Sequence, residues 1–208
     1  MAKIGVLALQ GDYQKHVQVI ASLGHNPILV KTEETLKQSE RLIIPGGEST
    51  TFLKLIDRLE LRKPLTKYCK NNPVFGTCAG LIILATEVVN ASFETLKCID
   101  LKVERNAYGR QIDSFIDDIK LALNANDKPP STPLPAPGGD PTVGGLGMNF
   151  EAVFIRAPKI VECLKDTKAL AWHNKDVVMA RQGNILVASF HPELSGDSRI
   201  HDYFIKSM

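Results

Sequence analysis

The chain has 208 residues, 44% of them apolar, and 25 basic against 23 acidic side chains leave a net charge of only +2. That length fits one sizeable domain or two small ones, with enough apolar material for a packed core. Charges of both signs are interspersed and no apolar run approaches the roughly 20 residues of a membrane span, so neither a nucleic-acid nor a membrane partner is expected.

The first half alternates strand and helix signals. Ile4 to Leu9 is a continuous apolar run, as in a strand buried on both faces of a parallel sheet. It is short and ends in Gln-Gly-Asp, unlike a signal peptide. His16 to Leu23 has Val17, Ile20 and Ala21 at helical spacing, and Gly24 supplies a stop. Pro27 to Val30 reads as a second strand, Thr35 to Ser39 as a short helix and Arg41 to Ile44 as a third strand ending at Pro45-Gly46-Gly47. Thr51 to Leu61 repeats Phe52, Leu55, Ile56 and Leu59 on one helical face, Pro64 to Lys70 suggests another helix, and Val74-Phe75 a fourth strand. This order implies an α/β fold, a doubly wound and mostly parallel sheet with helices on both faces. Ligands then belong beyond the carboxyl ends of the strands.

The second half is more β-like and implies an antiparallel extension. Leu96 to Glu104, Ala152 to Ile155, Lys168 to Trp172, Val177 to Arg181 and Ile185 to Phe190 read as strands, with a hairpin turn at Gln182-Gly183-Asn184. Asp197 to Met208 reads as a terminal helix with Ile200, Tyr203 and Phe204 inward. Residues 124–149 hold six prolines and five glycines and predict an irregular loop inserted within a single domain spanning 1–208. A long loop is cheap, at about 0.6 kcal/mol per doubling of length.

Val74 to Leu84, VFGTCAGLIIL, carries the chemistry. Gly76-Thr77-Cys78-Ala79-Gly80 is the G-x-nucleophile-x-G pattern of a sharp strand-to-helix turn, with cysteine in the nucleophile position. A helix N-terminus and a nearby imidazole both favour thiolate. Of five histidines, His16, His25 and His201 read as solvated or structural and His173 as a weaker candidate. His191 stands at a strand end, as Cys78 does, and Glu193 beyond the rigid Pro192 can fold back on the imidazole. Cys78, His191 and Glu193 are therefore the expected nucleophile, base and orienter. Backbone N–H groups at Gly46-Gly47 and at Ala79 are the expected oxyanion donors. Glu48 and Ser49 open the next helix, where Ser49 suits an N-cap. Cys69, Cys78, Cys98 and Cys163 form no C-x-x-C pair, so no metal and no cofactor is expected, and a reducing cytosol is the default compartment.

Six strings, GVLALQGD (5–12), IIPGGEST (43–50), GTCAGLI (76–82), RNAYGRQ (105–111), FIRAP (154–158) and SFHPEL (189–194), span nearly the whole chain. On these the chain resembles the flavodoxin-like class I glutamine amidotransferase superfamily, and within it the vitamin B6 branch, the glutaminase subunits of pyridoxal 5'-phosphate synthases. The resemblance implies that Cys78 attacks the side-chain amide of L-glutamine, that His191 protonates the leaving ammonia and that Glu193 orients His191. It implies glutamine binding by Gly47, Glu48, Ser49, Arg105, Ile155 and Arg156, and a coupling role for Gln10. The implied partner is a (β/α)8-barrel pyridoxal 5'-phosphate synthase subunit that receives the ammonia. The proline-rich 124–149 segment departs from the family's shorter connection. Three alternatives stand beside this: the same chemistry with another synthase, such as the imidazole-glycerol-phosphate or anthranilate branch; a non-catalytic subunit; and a small cysteine hydrolase on a related fold.

Overall fold

A computed structural model describes residues 1–105, 107, 114–123 and 148–208. The expected loop at 124–149 lies outside these, except Met148 and Asn149, which begin a strand. In chain order the elements are β1 (Lys3–Leu7), α1 (Tyr13–Ser22), β2 (Asn26–Val30), α2 (Glu33–Lys37), β3 (Arg41–Ile44), α3 (Ser49–Arg58), α4 (Arg62–Asn71), β4 (Val74–Thr77), α5 (Ala79–Leu84) and β5 (Ala85–Val88). There follow β6 (Ile99–Glu104), β7 (Ser114–Leu121), β8 (Met148–Ile155), β9 (Lys159–Cys163), β10 (Lys168–His173), β11 (Asp176–Gln182), β12 (Ile185–Ala188), a 3-10 turn at Pro192–Leu194 and α6 (Arg199–Ser207). No described helix is long and apolar enough to cross a membrane.

The main sheet runs β2-β1-β3-β4-β12-β11-β10-β7-β8. Its first five strands pair parallel, the 2-1-3-4-5 order of a flavodoxin-like sheet with β12 in fifth place. From β12 onward every pairing is antiparallel. The sheet is thus parallel at its core with an antiparallel extension, as the sequence implies. The β11–β12 hairpin closes at Gln182↔Ile185 around Gly183, whose φ of 55° puts glycine where the tight turn needs it. Strands β5, β6 and β9 form a small second sheet.

Alternate residues of the central strands feed two cores, because successive side chains point to opposite faces. Leu42 and Ile44 of β3 join Phe52, Ile56, Leu65 and Tyr68 from α3 and α4 on one face. Ile43, with Ile4 and Val6 of β1, joins Ile20 of α1 and Ile200, Tyr203 and Phe204 of α6 on the other. Two expectations shift in detail. On α1 His16 and Ile20 are buried and Val17 packs half-buried against the core, whereas Ala21 is exposed. Helix α3 begins at Ser49 rather than Thr51, and its N-cap is Glu48.

Candidate active site

Four neighbouring strands end at one crevice. Gln10 and Gly11 lie just beyond β1, Pro45 to Glu48 beyond β3, Cys78 beyond β4 and His191 beyond β12. The sheet order reverses between β1 and β3, which is where open α/β sheets bind their ligands.

Cys78 has φ 49° and ψ −102°, a backbone state that a non-glycine residue holds only when its surroundings impose it. The glycines around it explain how. A Cβ on Gly80 would collide with the Ile44 carbonyl, and one on Gly76 would come within 2.7 Å of the Gly80 carbonyl carbon. Strand and helix therefore meet backbone to backbone, and the turn between them has no room for an ordinary conformation. The Cys78 amide donates to the Ala188 carbonyl at 2.9 Å, and the thiol faces the Ile155 carbonyl at 3.8 Å.

His191 is fixed at its backbone by a 2.8 Å bond from its N–H to the Val153 carbonyl. Pro192 opens the 3-10 turn and bends the chain so that Glu193 returns beneath the ring. Glu193 Oε1 lies 2.8 Å from His191 Nδ1. A carboxylate only accepts, so Nδ1 carries a proton towards Glu193 and Nε2 is left for Cys78. Burial alone would lower the His191 pKa, but its hydrogen bonds with Cys78 and Glu193 push it up to about 10. Burial would raise Glu193, yet the neighbouring His16 and His191 hold it well below the usual carboxylate range. The pair is therefore built to carry an imidazolium against a carboxylate.

The Gly46-Gly47 loop presses on the same ring. A Cβ on Gly46 would strike His191, and Gly47, at φ 148°, has Gln10 where its Cβ would be. Gln10 clamps the loop, donating through Nε2 to the Glu48 carbonyl at 2.8 Å and accepting the Glu48 N–H at 3.4 Å. Of the expected oxyanion donors, Ala79 follows Cys78 directly and Gly47 follows the Gly46 that meets the His191 ring.

Glu48 departs from expectation by being the cap itself. Its carboxylate accepts from the N–H groups of Thr50 at 3.1 Å and Thr51 at 2.6 Å. Burial would raise its pKa, but these bonds hold it down to about 2. Ser49, freed of that task, is buried with no hydrogen-bond partner for its hydroxyl among the described residues. Arg105 reaches the crevice through Glu48, 3.2 Å from Nη2 to Oε1, with its guanidinium over Phe93. Ile155 ends β8 beside Cys78, and the exposed Arg156 follows at φ 41°.

The remaining histidines divide. His173 pairs with Asp117 at 2.8 Å, and His25 accepts from the Ala2 amide. His16 and His201 are fully buried, so neither is solvated, and His16 Nε2 lies 3.3 Å from Glu193 Oε2. One signal in the sequence pointed there: His16 stands four residues before Ile20 on the inward face of α1. Among the described residues no group of three or more His, Cys, Asp or Glu side chains is placed to hold a metal.

The fold is that of the class I glutamine amidotransferases. It is similar to a crystal structure of a glutamine amidotransferase at a TM-score of 0.83 and 37% identity, covering 98% of this chain and 97% of that one. PurLQS from Thermotoga maritima, at TM-score 0.65 and 15% identity over 96% of this chain and 92% of its own, shares the fold alone. The chain belongs to the SNO glutamine amidotransferase family, whose profile it matches over residues 6–208. Among similar proteins, pyridoxal 5'-phosphate synthase subunit PdxT of Pyrococcus furiosus is 46% identical over the full length of both chains. The subunit of that name from Thermosipho africanus is 43% identical over 98% of this chain and 97% of its own.

Proposed function

We propose that this protein is the glutaminase of a pyridoxal 5'-phosphate synthase, acting in the cytoplasm as a single amidotransferase domain. The observation that carries the chemistry is the 2.8 Å contact of Glu193 with His191 behind Cys78. The pathway rests on the relatives' names.

Cys78 Sγ passes its proton to His191 and attacks the side-chain carbonyl carbon of L-glutamine, and the N–H groups of Gly47 and Ala79 receive the oxyanion. His191 passes its proton to the leaving nitrogen as the C–N bond breaks, so ammonia departs and a thioester remains. Water, deprotonated by the now neutral His191, cleaves the thioester to glutamate and returns the thiol. Glu193 stays ionised throughout and balances the imidazolium. Arg105 and Arg156 supply positive charge for the α-carboxylate, Glu48 supplies negative charge for the α-ammonium, and Ser49 and Ile155 line the same site. Gln10, which clamps the oxyanion loop, couples it to the partner. Ammonia is mostly protonated and unreactive at neutral pH, so it passes directly to a docked (β/α)8-barrel synthase subunit.

Ammonia release from glutamine, measured with and without the cognate synthase, tests this reading. Cys78→Ala should lose at least a thousandfold in rate while still folding and melting cooperatively. Normal release by that variant would overturn the assignment.

A further inference from the structure

Glu193 is held from two sides. Oε1 meets His191, and Oε2 lies 3.3 Å from His16 Nε2 in an oblique contact, with no linear hydrogen bond to take its place. His16 is itself fixed: its Nδ1 is 2.9 Å from His201 Nε2, and Thr77 Oγ1 is 3.3 Å from its Nε2. These groups come from far apart in the chain, His16 from α1, His201 from α6, and Thr77 from the last position of β4 beside the nucleophile. Both imidazoles are fully buried.

The protons of this chain have one consistent arrangement. Burial pulls the His201 pKa down to about 3, so His201 is neutral. Its Nδ1 has no partner, which suits a bare lone pair better than an N–H. Nε2 of His201 then carries the proton and donates to His16 Nδ1, and His16 Nε2–H donates to Thr77 Oγ1 with Glu193 Oε2 3.3 Å to one side. Both imidazole N–H groups are thus directed to the end of the row where Thr77 and Glu193 lie.

We propose that His16 is a positioning residue for the reaction assigned above to Cys78, holding the second oxygen of Glu193 so that the first faces His191. The inference rests on that glutaminase reading for its kinetic consequence but not for its structural one. A carboxylate with one partner can rotate between its two oxygens and loses part of what keeps it ionised; His16 removes both freedoms. The ionisable groups facing Glu193 are His191 on its own turn, His16 from α1 and, behind it, His201 from α6.

The test compares His16→Leu, which fills space without a donor, with His16→Gln, whose amide N–H reaches as far as the imidazole Nε2. Carbon-13 NMR of the Glu193 carboxyl, assigned with Glu193→Gln, follows its titration in the protein without glutamine or synthase. Loss of the His16 contact with this buried carboxylate should raise its midpoint in His16→Leu by about one pH unit. In the synthase complex the same variant should lose about tenfold in kcat with KM within about twofold, and His16→Gln should recover most of both changes. A folded His16→Leu with an unchanged Glu193 midpoint and kcat overturns the proposal, as does a lowered melting temperature with no other change. If His16→Leu does not fold, His201→Phe decides: a raised Glu193 midpoint supports the proposal and an unchanged one overturns it. A wild-type complex that releases no ammonia sinks the glutaminase reading instead, and the carboxyl titration still judges the role of His16.

Discussion

His191 keeps a proton at pH values where a free imidazole has lost it, and this ties stability to pH through one residue. Between its ordinary value of 6.5 and the raised value of about 10, the folded protein holds a proton that the unfolded chain has released. Stability from this group is fully present below 6.5 and declines as pH rises through the window, by at most about 1.4 kcal/mol per pH unit. His201 acts in the opposite sense. Its pKa is lowered to about 3, so between 3 and 6.5 the unfolded chain takes up a proton that the folded one refuses, and stability declines as pH falls. Glu193, held below its ordinary range, adds to the acid loss. Urea denaturation at about pH 5, 7 and 9 should find the protein most stable near 7. In Cys78→Ala one of the two groups that raise His191 is gone, and the loss between about pH 7 and 9 should shrink. An unchanged alkaline loss in that variant would show that Cys78 is not a partner of the ring.

At the scale of elements, the strained turn before α5 depends on how closely that helix approaches β3. Alanine in place of glycine stabilises an ordinary helix by about 1 kcal/mol. At Gly80 the new Cβ would meet the Ile44 carbonyl, which is backbone and cannot step aside. Overpacking of this kind costs about 1–3 kcal/mol, so Gly80→Ala should come out destabilised despite its better helix propensity. A gain in urea midpoint would refute the close approach. The elbow was legible in the sequence because its glycines and its cysteine lie within five residues, and His191-Pro192-Glu193 was legible for the same reason. The parallel strands of the main sheet were legible as short apolar runs. Strand β7 was not: SFIDDIKL exposes Ile116, Asp117 and Asp118 in a row, so neither alternation nor a continuous run marks it. Strand β5 follows α5 with no turn residue between Leu84 and Ala85, and the apolar run hides the change of period. His16 and His201 meet across 185 positions of sequence, and only the packing of α1 beside α6 brings them to Glu193.

Across the whole molecule, the antiparallel extension belongs to the site as much as the parallel core does. In hydrogen-bonding order β8 is the strand farthest from β2, five places beyond β4. Yet its Val153 carbonyl holds the His191 amide, its Ile155 carbonyl faces the Cys78 thiol, and Phe150 and Phe154 pack on Phe190. The extension therefore curls back over the carboxyl ends of the parallel strands, and β8 must keep its register for the crevice to close. That register comes from β7, paired residue for residue from Ser114↔Ile155 to Leu121↔Met148. The facing ends Leu121 and Met148 are thus brought together by the ladder itself, and the Pro- and Gly-rich stretch between them has only to connect them. Deleting residues 129–145 shortens that connection by about one and a half halvings, which lowers the closure entropy cost by about 1 kcal/mol. The deletion variant should melt at or slightly above the wild-type temperature and release ammonia normally with the synthase. A fall of about 10 °C or more would mean that the stretch itself, and not the β7–β8 ladder, holds β8 against His191. Normal melting with lost activity would instead assign the stretch to the synthase contact, because the ladder that positions Val153 and Ile155 would still be in place.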